Sequence, residues 1–203
     1  NKTLENFPRP AFQLNKKPLT EFIKHLSLYI GELHEYQNDT YNYIIEKLKG
    51  NDLQESLSKF KNLDSLGYVL LQRPIEALNM VYPNERFESG SDIEIEEFLG
   101  KKGLSNIVTY KESYGPPFRG NFKYRDTKFG NIFSPSEIGK YSSKIKRITD
   151  NIINSDGVVL IYSQYLDAGL VPMALALEEM GFSRYSGIPS LFETPPTKYK
   201  LDL

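Results

Sequence analysis

Residues 155–165 read Ser-Asp-Gly-Val-Val-Leu-Ile-Tyr-Ser-Gln-Tyr. The run at 158–162 is apolar at every position and rich in β-branched side chains, a pattern typical of a strand that is covered on both faces in a parallel sheet. Asp156 and Gly157 form a turn signal before it. We therefore predict a buried strand over 158–162 and a parallel sheet around it.

A helix is predicted on each side of this strand. Before it, Ser136 is the expected N-cap, and apolar residues recur at helical spacing at Ile138, Tyr141, Ile145, Ile148 and Ile152. After it, residues 170–180 form the second predicted helix, which Gly181 ends. Helix, buried strand, loop and helix in this order describe one unit of a doubly wound α/β sheet.

The rest of the chain carries weaker patterns. They predict a strand over 26–33, a helix over 34–49, a helix over 52–80 and an exposed acidic loop beside a short helix over 85–97. The helix over 52–80 is expected to break near Gly67 and at Arg73-Pro74, because glycine and proline disfavour a helix interior.

Composition excludes several classes of protein. The 203 residues are 39% hydrophobic and 25% charged, as in ordinary soluble globular proteins. A net charge of −1 means that a nucleic-acid partner would need a local patch of cations. With no cysteine and only two histidines, we expect neither a disulfide framework nor a metal site. No apolar run could cross a bilayer, and the chain reads as an internal fragment of a longer protein.

The motifs of nucleotide hydrolysis are absent from the sequence. A phosphate-binding loop ends in Gly-Lys-Ser/Thr, whereas Gly100-Lys101-Lys102-Gly103 lacks both the upstream glycine and the following hydroxyl. There is also no acidic strand end for magnesium and no Gly-x-Ser-x-Gly elbow. We therefore assign no catalytic residue and expect no cofactor for this chain alone.

Candidate binding residues follow the predicted strand. The loop at 163–169 leaves the C-terminal end of that strand, where ligands of open α/β sheets bind. The Ser163 hydroxyl, the Gln164 amide and backbone N–H groups before a helix suit a phosphate oxygen. The alternative is a plain strand-to-helix turn, in which Asp167 caps and Gly169 eases the bend. On position alone both interpretations stay open.

Two other segments combine features of nucleic-acid binding. Residues 110–133 alternate aromatic side chains with cations, which suits a single strand, but a hairpin with packed aromatics is the favoured interpretation. The helix before the strand carries a basic face formed by Lys140, Lys144, Lys146 and Arg147. Such a face keeps a protein soluble and can also line a nucleic-acid track.

Residues 139–165 resemble the entry to the second lobe of Swi/Snf-type superfamily-2 helicases. There a Ser-x-Lys helix, here Ser142-Ser143-Lys144, leads into a strand reading Val-Leu-Ile-Phe-Ser-Gln, known as motif IV. Residues 170–185 are similar to the superfamily-2 helicases of nucleocytoplasmic large DNA viruses. Leu33, Gln37 and Tyr41 resemble the Leu-x-x-x-Gln-x-x-x-Tyr pattern that opens this lobe. First-lobe motifs, motifs V and VI and the arginine finger are absent.

The resemblance implies an α/β fold, a partial second RecA-like lobe with a parallel sheet core. The lobe would span 26–203, with a helical and irregular insertion at about 50–133, after a linker or lobe entry at 1–25. The resemblance implies an ATP-dependent helicase or translocase, a hydrolase that uses ATP and Mg²⁺, for the parent protein and not for this piece.

The same resemblance implies partners and site residues. The partners are DNA or RNA and other viral transcription or replication proteins, without a membrane, in the host cytoplasm or the virion. Motif IV carries over onto Tyr162, Ser163 and Gln164, the last two as contacts to backbone phosphates. Lys144 and Arg147 join them as expected nucleic-acid contacts on the preceding helix.

Two classes other than a helicase lobe stay open. One is a Rossmann-like transferase whose ligand loop is 163–169, and the other is a non-catalytic interaction module whose aromatic segment binds protein. A helicase lobe predicts salt-sensitive binding to nucleic acid. A transferase predicts a ligand such as a nucleotide sugar with no strong salt dependence, and an interaction module predicts neither.

Overall fold

A computed structural model describes residues 30–49, 63–111, 122–185 and 190–194, with the backbone alone over 63–70. All of these except Ile30 lie in the compact unit Gly31–Leu203, and the predicted linker at 1–25 lies outside them. The described helices are α1 (Glu35–Lys47), α2 (Leu63–Asn79), α3 (Glu85–Glu88), α4 (Gly100–Ile107), α5 (Ile138–Tyr141), α6 (Ser143–Ile153) and α7 (Val171–Glu179). The remaining elements are a 3₁₀ turn (Ile95–Glu97), a π-type turn (Leu166–Leu170) and strands β1 (Val108–Tyr110) and β2 (Phe122–Tyr124).

Two apolar clusters form the core of the described residues. The larger one joins α4, both strands and α5 to α7, and buries Phe133, Ile138 and Leu175. The smaller one joins α1 to the 3₁₀ turn around Ile44. Tyr36 packs against both clusters and so connects them. Each fully buried large side chain contributes about 1.5–3 kcal/mol of transfer free energy.

The sheet of the described residues is small and antiparallel. Val108 pairs with Tyr124 and Tyr110 with Phe122. On its other edge Phe122 forms a parallel bridge to Phe192, which the buried Glu178 of α7 holds by accepting from the Phe192 N–H at 2.8 Å. The α/β class is therefore correct, but the described fold is mostly helical, and the expected parallel RecA-like core is not found in it.

The predicted strand at 158–162 has no regular secondary structure. Leu160 is 92% exposed and Tyr162 87% exposed, and no backbone group of the segment bonds another described residue. The prediction of a buried strand is wrong for this structure. An apolar run indicates that burial would be favourable, whereas a strand also needs a neighbouring backbone to pair with, and no described backbone group bonds this segment.

The helix before this segment is confirmed in its buried face but not in its continuity. Ile138, Tyr141 and Ile145 are buried, while Ile148 and Ile152 pack against the larger cluster from partly buried positions. The chain breaks at Ser142, whose φ of −153° and ψ of 94° separate α5 from α6. The expected N-cap Ser136 is therefore wrong, because Ser142 caps the longer helix.

Four other predictions can be compared with the structure. The helix over 34–49 is confirmed as α1, whereas residues 30–33 of the strand predicted over 26–33 are irregular. α2 runs through both Gly67 and Pro74 without the expected break, and Pro74 and Ala77 are buried, so packing outweighs the lost hydrogen bond. The short helix expected within 85–97 is confirmed as α3, but the expected exposure is wrong at Ile93 and Ile95, which are buried.

The end of α7 confirms the predicted glycine stop. Gly181 has φ of 94°, a conformation that side chains with a Cβ rarely adopt. Its N–H donates to the Glu178 carbonyl at 3.0 Å, and the Phe182 N–H donates to the Leu177 carbonyl at 3.0 Å. This pair of bonds is the Schellman motif, which closes the last carbonyls of a helix. None of the described helices is both long and apolar enough to span a membrane.

Candidate nucleic-acid interface

Ser142 fixes the start of α6, the helix that carries two of the predicted contacts. Its hydroxyl accepts from the Ile145 N–H at 3.0 Å and donates to the Asn79 carbonyl at 2.5 Å. The first bond is an N-cap, and the second ties α6 to the end of α2. Since Ser142 is completely buried, water cannot replace either bond. The first serine of the Ser-x-Lys sequence therefore has a structural role.

Gln37 is the second anchor of α6, and it is completely buried. Its Oε1 accepts from the Ser143 N–H at 2.9 Å and lies 3.2 Å from the Ser143 hydroxyl, while its Nε2 donates to the Ala77 carbonyl at 3.0 Å. One amide thus connects α1, α2 and α6. Sequence reasoning assigned no role to Gln37, and the Leu-x-x-x-Gln-x-x-x-Tyr pattern was the signal that could have drawn attention to it.

Lys144 and Arg147 lie one turn apart at the start of α6, and both are exposed. The Lys144 Nζ donates to the Asn79 Oδ1 at 2.5 Å, a neutral partner that leaves its charge uncompensated. Although the Lys144 side chain is exposed overall, partial desolvation of its ammonium group lowers its pKa. The structure therefore brings these two predicted contacts together on one turn.

The rest of the predicted basic face is largely neutralised. Lys140 forms an ion pair with Glu137 at 2.6 Å, and Lys146 pairs with Asp150. Such surface pairs contribute only about 0–1 kcal/mol each, but they cancel positive charge locally. The positive charge of this face is thus carried by Lys144 and Arg147.

An open groove of about 290 Å³ lies beside Arg147. Its lining comes from the segment before α1 and from α5 and α6: Gly31, Glu32, Leu33, His34, Gly139, Ser143, Lys146, Arg147 and Asp150. The two carboxylates offset the two cations, so the groove has no excess charge with which to select an anion. We assign it no ligand.

The loop after 158–162 is tied by its own hydrogen bonds. The Ser163 hydroxyl accepts from the Tyr165 N–H at 3.1 Å, and the Tyr82 hydroxyl donates to the Asp167 carbonyl. A Cβ on Gly169 would collide with the Ser163 hydroxyl, so only glycine fits there. This geometry favours a turn before α7 as the role of Ser163 and Gly169, although no strand precedes it in the structure. The Asp167 side chain does not cap the turn that follows.

The five predicted contacts form two sets. Tyr162 and Gln164 are exposed around the half-buried Ser163, whereas Lys144 and Arg147 lie on α6. In the part of the chain that the structure describes, no hydrogen bond or ion pair joins one set to the other. The two sets therefore lie on consecutive segments of the chain, and no direct bond joins them into one site.

The hairpin interpretation of residues 110–133 is confirmed where they are described. Phe122 and Phe133 are buried, and Tyr124 stacks on Phe192 with ring centroids 5.0 Å apart. The Tyr124 hydroxyl donates to the buried Glu179 carboxylate at 2.7 Å. Residues 112–121 lie outside the described residues, so the aromatic and cationic side chains there are untested.

Close packing explains the two glycines of the 100–103 segment. Gly103 lies against Tyr82, where a Cβ would come within 2.5 Å of the ring. Gly100 has φ of 53° and lies against the buried Glu76 carboxylate, where a Cβ would come within 2.8 Å of an oxygen. Burial raises the pKa of Glu76. Neither glycine is thereby suited to cradle a phosphate, and the described residues contain no cluster that could hold a metal ion.

Comparison with protein-family models, with curated proteins and with solved structures finds no match for this chain. A function must therefore be argued from the residues themselves.

Proposed function

We propose that this chain contributes the second lobe of an ATP-dependent helicase or translocase and contacts the backbone of DNA or RNA. The observation that carries the proposal is the start of α6, where buried hydrogen bonds hold a turn that exposes Lys144 and Arg147. Neither cation forms an ion pair with a described residue, and two such cations on a fixed helix suit phosphates, which set register without reading sequence. The class of the parent protein rests on the sequence resemblance to the motif IV region.

The second set of contacts follows along the chain. Gln164 presents an exposed amide that can hold a phosphate oxygen, and the exposed Tyr162 ring lies two residues before it. Ser163 holds the loop that carries these two side chains, because its hydroxyl accepts a hydrogen bond from the Tyr165 backbone N–H. Neutral groups of this kind add hydrogen bonds without releasing counterions.

The proposal also covers the RecA-like fold of the lobe and the cofactors of the longer parent protein. A RecA-like lobe with a parallel sheet would use 158–162 as a strand, which needs neighbouring strands. ATP and Mg²⁺ would be bound by the rest of the parent protein, because this sequence lacks the phosphate loop and the arginine finger. Viral transcription or replication proteins as partners, in the host cytoplasm or virion, follow from the resemblance alone.

Salt-dependent binding tests the proposal directly. Affinity of the 203-residue chain for fluorescent single- and double-stranded oligonucleotides would be measured over a salt series. Replacing Lys144 or Arg147 by alanine should lower the slope of log affinity against log salt by about 0.7–0.9 each, the loss of one phosphate contact. Lys146→Ala is the matched control, because Lys146 is paired with Asp150 and should change the slope less.

Two results would contradict this assignment. The first is the absence of binding even at low salt. The second is a salt slope that is the same for the Lys144→Ala and Arg147→Ala variants as for the unsubstituted 203-residue chain.

A second candidate, the non-catalytic interaction module, is favoured by one observation. Val158, Leu160 and Tyr162 expose nearly all of their apolar side-chain surface. Contiguous apolar surface on a soluble domain commonly marks a protein contact. This candidate predicts association with protein in place of salt-sensitive binding to nucleic acid.

A further inference from the structure

Asp156 and Gly157 form a bend just after the end of α6, and both residues are exposed. They are the only Asp-Gly pair in the sequence. Neither the Asp156 carboxylate nor the Gly157 N–H forms a hydrogen bond with a described residue. A Cβ added to Gly157 would meet nothing within 4 Å. The carboxyl group and the next backbone nitrogen are therefore both accessible to each other and to water.

The pair immediately before it, Asn154-Ser155, shows the opposite situation. The Asn154 Nδ2 donates to the Asp150 carbonyl at 2.7 Å, and the Ser155 N–H donates to the Ile152 carbonyl at 3.1 Å. The last turn of α6 thus occupies both groups that could react with each other. This protection ends one residue before Asp156.

The other aspartates whose side chains the structure describes are also protected. Asp39 and Asp150 lie within α1 and α6, where the next N–H is bonded to the preceding turn of the helix. Asp92 is followed by Ile93, whose N–H donates to the Tyr43 hydroxyl at 2.8 Å. In the remaining cases the next residue carries a Cβ that shields its nitrogen: Asp126 and Asp167.

We propose that Asp156 is a site of spontaneous isomerisation to isoaspartate. The Gly157 nitrogen attacks Cγ of Asp156, and the N–H proton and the carboxyl hydroxyl leave as one water while a five-membered succinimide ring closes. Glycine favours this step because it has no Cβ and its backbone reaches torsions that other residues avoid.

A second water then opens the ring. When it attacks the main-chain carbonyl carbon of residue 156, the bond from that carbon to the Gly157 nitrogen breaks. The chain then continues through Cγ, and the former main-chain carbonyl becomes a carboxylate. One water leaves and one is taken up, so no oxidant, reductant or other reactant is needed.

The product places one extra carbon in the main chain directly before 158–162. It therefore shifts this segment, and the loop that carries Tyr162 and Gln164, relative to α6. Asp156 and Gly157 precede the residues that the proposed lobe would use as a strand. The modification is measured without nucleic acid, so it is independent of the proposed function.

Peptide mapping of the aged 203-residue chain tests the proposal. After incubation at neutral pH, an endoproteinase that cuts before aspartate should progressively lose its cut at residue 156, because it does not recognise isoaspartate. Its cuts at Asp150 and Asp167 should be retained and serve as internal controls. The intermediate should appear as a peptide lighter by one water.

Two variants test the chemistry. Gly157→Ala should nearly abolish the loss of cutting, and it should fold normally, because residue 157 has open space and lacks the positive φ that would require glycine. Asp156→Asn should form isoaspartate faster than the unsubstituted chain, since the amide closes the same ring and releases ammonia. Circular dichroism checks that both variants fold.

A synthetic peptide of residues 151–162 tests whether the fold leaves the pair open. We expect the same rate of isomerisation in the peptide and in the folded chain. Three results would overturn the proposal. They are a folded chain that keeps its cut at 156 while the peptide isomerises, an unchanged rate in Gly157→Ala, and equal isomerisation at Asp150 or Asp167.

Discussion

The Oε1 atom of Gln37 accepts a hydrogen bond from the backbone N–H of Ser143 at 2.9 Å, across 106 positions of the chain. A helix N-terminus has N–H groups that no intrahelical carbonyl can satisfy, and here a buried amide from a distant helix satisfies one of them. The orientation of the α6 turn that carries Lys144 and Arg147 therefore depends on α1.

Replacing Gln37 by leucine should destabilise the protein strongly. The substitution leaves the Ser143 N–H and the Ala77 carbonyl without their buried partner, at about 1–3 kcal/mol for each group. Chemical denaturation measures the loss. Asn38→Leu, at the exposed neighbouring position on α1, is the control and should change the free energy of unfolding little. Equal stability of the two variants would mean that the Gln37 network is not formed.

The true helix cap can be distinguished from the one expected from sequence. Ser142→Ala should cost at least about 1 kcal/mol, the usual loss for an N-cap, because the bond to the Asn79 carbonyl is lost as well. Ser136→Ala should have almost no effect, since Ser136 is exposed and caps no helix in the structure. Thermal melts of both variants measure the two losses. A larger loss for Ser136→Ala than for Ser142→Ala would show that Ser136 is the cap.

Glu179 should make stability depend on pH. Burial raises the pKa of Glu179 in the folded protein, although the bond from the Tyr124 hydroxyl opposes this. Because the pKa of Glu179 is higher in the folded state than the unfolded value of about 4.3, the folded state binds this proton more tightly. The resulting stabilisation is complete below the unfolded pKa and is lost as the pH rises through the folded pKa.

Glu179→Gln removes the buried charge and keeps an acceptor for Tyr124. We expect the melting temperature of this variant to exceed that of the unsubstituted chain at pH 7.5, and the difference to shrink towards pH 4. Glu35→Gln, an exposed carboxylate at the start of α1, is the comparison. A difference between parent and Glu179→Gln that is independent of pH would exclude the titration of Glu179 as its cause.

Ile148 and Leu160 should respond differently to aspartate. Sequence reasoning places both in the core, and both substitutions would then unfold the C-terminal part. Ile148 does pack against the larger cluster, so Ile148→Asp should cost several kcal/mol, about half of a domain's stability. Leu160→Asp should change the stability of the chain by only about 0.5 kcal/mol or less, because the side chain is in solvent. Thermal melts compare them, and a Leu160→Asp chain that fails to fold would restore the buried strand.

Gln164→Ala should weaken binding to nucleic acid without changing its salt dependence. The loss of one neutral hydrogen bond costs about 0.5–1.5 kcal/mol, which is roughly threefold to tenfold in affinity. The loss should be similar for all oligonucleotide sequences, because a phosphate contact carries no base information. The salt series used for Lys144 and Arg147 measures it. A change confined to one sequence would instead indicate that Gln164 contacts a base.

Short-range signals in the sequence predicted several elements correctly. The spacing of Ile138, Tyr141 and Ile145 identified a buried face, and Gly181 identified the end of α7. Both signals are local: side chains three or four residues apart share a helix face, and one residue with positive φ closes the last carbonyls. The packed hairpin around β2 was also the favoured interpretation, and the structure pairs β1 with β2 and stacks Tyr124 on Phe192.

What only the tertiary structure decided depends on groups that are distant in the chain. Gln37 finds Ser143 and Ala77, and Pro74 is accepted within α2, because other helices pack there. Residues 158–162 have the composition of a buried strand, but a strand forms only where another backbone supplies its hydrogen bonds, and no local pattern encodes that supply. The sequence alone therefore determined which surfaces favour burial, and the tertiary structure decided which of them are covered.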